Sequence, residues 1–321
     1  MSKDLSPPRL ARPRLLIVGC GDVGMRCLQM LAPRWRVFAV TSQPGRVAAL
    51  RAAGAVPLVA NLDEPATLKR LGGLADRVLH LAPPPARGDD DPRTVALLRA
   101  LRRSAWRRPA REPRILPERP GRGTGVATRG GAPALVYAST SGVYGDRGGA
   151  RIGEDQPVRP QTARARRRVA AERAVRSFGR ASGWRASIVR IPGIYAADRL
   201  PVARLLKGTP ALVRDDDVYT NHIHADDLAR AMIAALLRGR PQRVVHASDD
   251  SELRMADYFD LVADRRGLPR PPRLSREQIR QAVEPALLSF MSESRRLENA
   301  RLKRELRLRL RYPTVHHFFE T

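Results

Sequence analysis

Short apolar, β-branched runs alternate with amphipathic stretches through most of the chain. RLLIVG at 14–19 is followed by a segment from Asp22 to Leu31 with apolar positions at helical spacing, which predicts strand, tight turn and helix. WRVFAV at 35–40, VPLVA at 56–60 and RVLHLA at 77–82 repeat the strand pattern, and PGRVAALRAAG at 44–54, residues 64–71 and DPRTVALLRALRR at 91–103 read as helices. PALVYAS at 133–139 and WRASIVRIP at 184–192 supply strands five and six, on either side of an arginine-studded helix at about 163–182. Strands separated by single helices imply parallel pairing with right-handed crossovers, so the expected fold class is α/β, a doubly wound parallel sheet. Past Tyr195 the elements shorten and mix: helix 200–207, strand 217–220, helix 225–238, strand 242–246, helix 254–266 and a last helical tract at 295–306. This gives a first unit at 14–195 and a smaller mixed unit at 196–321. Residues 1–13 are expected to be flexible. Residues 104–132, rich in Pro, Gly and Arg without a periodic apolar face, are expected to form a disordered surface insertion.

Composition narrows the picture. The 321 residues, 43% hydrophobic and 28% charged, suffice for a large core without disulfide or metal staples. The two cysteines, Cys20 and Cys27, form no CxxC pair and have no histidine cluster beside them, so no metal is expected. No apolar stretch reaches the ~18–20 residues of a membrane span and the first residues lack an apolar signal core, so a cytoplasmic protein without membrane association is expected. The net charge is +27, almost all of it arginine, since lysine occurs only at Lys3, Lys69, Lys207 and Lys303. Clustered cations suit a polyanion, and nine arginines between Arg102 and Arg129 against Glu112 and Glu118 make the insertion the best candidate for an anion-binding arm. The arginines are nevertheless spread along the whole chain and aromatic residues are only 5%, which favours a solvated cationic surface over a nucleic-acid partner.

Gly19-Cys20-Gly21-Asp22-Val23-Gly24 is a GxGxxG sequence between a buried strand and a helix, where glycines allow a tight turn and the helix N-terminus can face a pyrophosphate. It points to a dinucleotide site within 14–195. NAD-specific sites place a carboxylate about 20 residues on, at the end of the second strand. Here the sequence from Val40 to Arg46 has no acid; the hydroxyls of Thr41 and Ser42 with Arg46 suit a 2′-phosphate, which puts NADP ahead of NAD.

Val136-Tyr137-Ala138-Ser139-Thr140-Ser141-Gly142-Val143-Tyr144-Gly145 falls at the end of strand five, where ligands of doubly wound sheets bind. Its strand-end hydroxyls followed by VYG resemble the extended short-chain dehydrogenase/reductases, the group that contains the NAD-dependent sugar epimerases and dehydratases. Three further stretches resemble the same family: Arg190–Tyr195 with Pro192, Asn221–Ala229 with an IHVDDLA-like run, and the tail from Ser292-Glu293-Ser294-Arg295-Arg296 to Tyr312-Pro313. The resemblance implies coenzyme contacts at Gly19, Gly21, Asp22, Val23, Gly24, Thr41, Ser42, Arg46, Asn61, Leu62, Leu81, Ala82, Ser139 and Pro192. It implies that Thr140 holds the reacting oxygen of a small-molecule substrate, with Tyr144 nearby.

The departures from the family are equally informative. Val18 stands where a first glycine is usual, and the family's DL pair after strand three reads Asn61-Leu62. The catalytic YxxxK is absent: aligned on the following VAAE, Arg164 replaces the tyrosine and Arg168 the lysine. A tyrosine exchanges a proton with substrate, which a guanidinium charged throughout the neutral range does not do. Tyr144, Tyr195, His222 and His224 are the candidate substitutes, with His224 expected to brace the following helix and His80, His316 and His317 expected to be structural. The leading expectation is an NAD(P)-binding oxidoreductase or epimerase/dehydratase-like enzyme acting on a nucleotide sugar or carbonyl compound. The alternative is a sensor that keeps the coenzyme and has lost turnover. A homodimer would use the helices at 91–103 and 163–182.

Overall fold

The computed structural model describes residues 12–103 and 132–321; the expected insertion up to residue 131 and the first eleven residues lie outside the described part. Seven parallel strands form the central sheet: β1 Arg14–Val18, β2 Arg36–Thr41, β3 Val56–Val59, β4 Arg77–His80, β5 Ala134–Thr140, β6 Arg185–Ile191 and β7 Val244–His246. Their spatial order is β7-β6-β5-β4-β1-β2-β3. Six were expected. The seventh comes from beyond residue 196: the chain returns to the sheet, and Val244–His246 pairs with Ile188–Arg190.

Helices cover both faces because the central strands are apolar on both. On one face α1 (Asp22–Leu31) and α5 (Ala225–Arg238) bury Leu28, Leu31, Met232 and Leu236 against Ile17, Val37 and Val136. On the other, α3 (Pro92–Arg103) and α4 (Ala163–Ser182) bury Leu97, Leu101, Val175 and Phe178 against Leu16, Val78 and Leu135. Each such side chain contributes roughly 1.5–3 kcal/mol on leaving water. α2 is only Val47–Ala52, preceded by a 3-10 turn at Pro44–Arg46, and the expected helix at 64–71 is a 3-10 segment, Pro65–Leu71. A third apolar cluster, with Tyr195, Leu205, Leu212, Phe259 and Ile279, holds the smaller unit around α6 (Met255–Arg266).

The tail differs most from expectation. Residues 295–306 are not one helix: Arg296–Leu297 pairs as a strand with Arg151–Ile152, and only Ala300–Arg304 is helical. Asp227, fully buried at the start of α5, accepts hydrogen bonds from the backbone N–H groups of Arg311 (2.8 Å) and Tyr312 (2.8 Å), which ties the end of the chain to the sheet domain. No helix among the described residues is long and apolar enough to cross a membrane.

Candidate functional site

Parallel pairing puts all seven strand C-termini on one edge, and the strand order reverses between β1 and β4. Such a reversal leaves a crevice outside the strand ends. Gly19 follows β1 there with φ +85°, and a Cβ on it would lie 2.4 Å from the backbone nitrogen of Ala82 after β4. Only glycine fits this crossing. Gly21 caps α1 without a side-chain partner for the first-turn N–H groups, and a Cβ built on it meets nothing within 4 Å. The result is an open face of backbone donors at the positive end of a helix, suited to an anion. Gly24 serves packing instead, with a built Cβ 3.2 Å from the Gly19 carbonyl oxygen.

A groove of about 570 Å³ runs over this loop, lined by Gly19, Gly21, Thr41, Ser42, Arg46, Asn61, Leu62, Leu81 and Ala82 among others. The Arg46 guanidinium has no hydrogen bond or ion pair among the described residues. It lies close enough to the Cys20 thiol to oppose the upward push that burial gives that group, to about 11. Two expected coenzyme contacts, at the start of α1, have side chains with protein partners. The Asp22 carboxylate accepts from Arg26 (3.0 Å) and Arg199 (2.8 Å), and Val23 packs on the apolar core.

A second cavity, of about 440 Å³, opens beside the end of β5 and against the smaller unit. Thr140 and Pro192 line it, together with four arginines, Arg164, Arg199, Arg204 and Arg295, one carboxylate, Glu293, and the rings of Tyr258 and Phe259. The Thr140 Oγ1 accepts from the Gly142 N–H (3.3 Å), which leaves its hydroxyl proton available. Arg164 stacks on Phe290, 4.2 Å from the ring centre, and has no ion pair among the described residues. His222 lies against Tyr258, with ring centres 4.3 Å apart; burial lowers its pKa to about 4, and its Nδ1 has no hydrogen-bond partner among the described residues. Glu293 and Arg295 escaped the sequence reading as site residues. The one signal was the family-like run at 292–296, which carries no chemistry until the fold returns it to β5.

Two expected site residues, Ser139 and Tyr144, belong to a buried network and line neither cavity. Ser139 donates to Glu172 (2.6 Å), and Glu172 accepts both arms of Arg190 (3.0 and 2.7 Å). Arg190 donates to the Tyr144 hydroxyl (2.6 Å), which in turn donates to His246 Nε2 (2.5 Å). His246 Nδ1 then donates to the Glu298 carbonyl (2.9 Å), a pattern that requires neutral imidazole, consistent with burial lowering its pKa to about 3. Ser139 and Tyr144, expected beside coenzyme and substrate, are held in this network by their neighbours on α4 and β6. Arg168 donates to the Tyr137 hydroxyl (3.1 Å) and the Ala138 carbonyl (2.7 Å). Tyr195 is buried among aromatic rings. His224 caps α5, its Nδ1 accepting from the Asp226 N–H (3.2 Å). His80 bonds Thr94 (2.8 Å) inside the fold.

Residues 16–247 match the model of the NAD dependent epimerase/dehydratase family. No curated protein sequence matches the chain. Among solved structures, a functionally unknown conserved protein from Silicibacter pomeroyi superposes with a TM-score of 0.76 at 28% identity, over 96% of this chain and 97% of that one. A UDP-glucose 4-epimerase from Thermotoga maritima, solved with UDP-glucose, gives 0.72 at 16% identity, over 96% of both chains. A dTDP-glucose 4,6-dehydratase from Streptomyces venezuelae, solved with NAD bound, gives 0.70 at 19% identity, over 96% of this chain and 95% of that one. The last two likenesses establish a shared fold.

Proposed function

The chain belongs to the NAD dependent epimerase/dehydratase family, and from that premise we propose that it is an NAD(P)-dependent oxidoreductase or epimerase acting on a nucleotide-linked sugar. The observation that carries the reading is the glycine loop at the strand-order reversal: Gly19 fits nothing larger, and Gly21 presents open space in front of the uncapped α1. Gly19, Gly21 and the start of α1 would hold the coenzyme pyrophosphate, Asn61 and Leu62 the adenine side, and Leu81, Ala82 and Pro192 the path toward the reacting end. Bound nicotinamide supplies a hydride acceptor or donor. Thr140 directs its free hydroxyl proton to the substrate oxygen. Four arginines against one carboxylate in the second cavity suit the diphosphate of a nucleotide sugar.

Within this reading the coenzyme is NADP ahead of NAD. The ribose end of the groove offers Thr41, Ser42 and the unpaired Arg46. Arg46→Ala is expected to weaken NADPH binding roughly tenfold or more and leave NADH unchanged, since a charged hydrogen bond contributes about 1.5–3 kcal/mol. An unchanged NADPH-to-NADH affinity ratio contradicts the assignment. The competing reading, a coenzyme sensor without turnover, is favoured by Arg168 being tied to Tyr137 and Ala138. Chromatographic analysis of the sugar nucleotide, together with nicotinamide absorbance, after incubation with UDP-glucose and dTDP-glucose separates the two: an altered sugar or a net absorbance change supports the enzyme, and coenzyme binding with neither supports the sensor.

A further inference from the structure

The proton relay of the related enzymes has no counterpart at its usual place, because Arg164 and Arg168 carry no proton to exchange near neutral pH. The second cavity contains another proton carrier. Gly142, just past β5, has no side chain; a Cβ built on it would lie 3.7 Å from the Thr140 Oγ1 and 3.9 Å from the Glu293 Oε2, with no nearer atom. The space over Gly142 is thus flanked by a hydroxyl from the strand end and by a carboxylate from the far end of the sequence. The Glu293 side chain is 11% exposed, and buried Arg295 donates Nη1 to its Oε2 (2.8 Å), which fixes the carboxylate. Arg164, on α4, attracts it electrostatically. The other titratable groups of the cavity are placed otherwise: His222 and Tyr258 are stacked together, and the Tyr219 ring faces Arg254 and Arg296, at 5.4 and 4.7 Å.

We propose that Glu293 is the catalytic acid/base of this site, working with Thr140 across the gap left by Gly142. The inference rests on the coenzyme-dependent reading above. In the oxidative direction a carbinol C–H and its O–H break and the carbon–oxygen bond becomes double; the hydride passes to oxidised nicotinamide and the proton to the Glu293 carboxylate. Reduction reverses each transfer. Thr140 donates its hydroxyl hydrogen to the substrate oxygen throughout, and Arg164 opposes the negative charge that builds there as the proton leaves.

The test takes the full chain with NAD or NADH and UDP-glucose as the probe. Calorimetry with NADH present measures UDP-glucose affinity against pH without turnover; chromatography of the sugar product, with nicotinamide absorbance beside it, measures the rate with NAD. Glu293→Gln keeps an acceptor for Arg295, so fold and NAD affinity should match the wild type. The pH dependence of UDP-glucose binding should disappear and the rate should fall by about 10²-fold or more. Gly142→Ala, at an ordinary backbone conformation, should fold and bind NAD alike while its methyl group fills the gap and stops turnover. A Gln variant with more than a tenth of the wild-type rate, or one that keeps the pH-dependent binding, overturns the assignment. Wild type that binds NAD but neither converts UDP-glucose nor reduces NAD with it also overturns the assignment and leaves the coenzyme reading intact, whereas wild type that binds no coenzyme overturns that reading first.

Discussion

Asp249 and three histidines show burial as the largest influence on protonation. Burial pushes the Asp249 carboxyl up to about 8, far above the roughly 3.9 of an unfolded aspartate. The folded chain therefore holds a proton that the unfolded chain releases, and this contribution to stability, complete below about pH 4, is lost as the pH rises through 8. His80, His222 and His246, lowered by burial to about 3, 4 and 3, work in the opposite sense: their contribution is complete above roughly 6.5 and is lost as the pH falls toward those values. Asp249→Asn, which can still accept from the Ser251 N–H, should flatten only the alkaline side of the stability profile, as read from denaturant midpoints at pH 5, 6.5 and 8. An unchanged alkaline slope would show that the carboxyl is not protonated in the fold. Glu172→Ala leaves Arg190 buried without its counter-charge, and the loss should be about 3–5 kcal/mol in the same measurement.

At the level of elements, the sequence was most readable where a strand is buried on both faces. RLLIV and ALVY are continuous apolar runs because helices cover both sides of the sheet, and the glycine loop was readable because its constraint lies within six residues. The pairing of Arg151–Ile152 with Arg296–Leu297 was not, since two residues carry no period and the partner lies far along the chain. Glu293 and Arg295 were missed for the same reason. The hydrogen bonds of Ser139, Tyr144 and Arg168 were not legible either, because motif position fixes a residue's place on its element and not the partners of its side chain. The DD pair after His224 proved structural: Asp226 binds Arg26, and Asp227 anchors residues 311 and 312. Asp227→Ala should destabilise the fold by about 2–3 kcal/mol and make the chain near residue 311 cleavable under limited proteolysis; an unaltered digestion pattern would mean the tail is held by Val315 and its apolar neighbours alone.

For the whole molecule, the surplus of arginine is partly put to internal use. Arg190, Arg168, Arg185 and Arg295 reach carboxylates, carbonyls and hydroxyls within the fold, Arg199 links the glycine-loop helix to the smaller unit through Asp22, and Arg26 ties that helix to α5 through Asp226. The sheet edge then brings two openings together, one around the glycine loop and one around Thr140, each built from segments distant in sequence. The account depends on the first of these holding a dinucleotide. Calorimetric titration of NAD and NADP into the wild type and into Gly21→Val is the most direct test, because the added side chain enters open groove and touches no protein atom within 4 Å at its Cβ. The account predicts one coenzyme bound per wild-type chain and at least tenfold weaker binding by the variant at an unchanged melting temperature. Folded wild-type protein that gives no binding heat with either coenzyme at millimolar concentration, or a variant that binds as tightly, would contradict it.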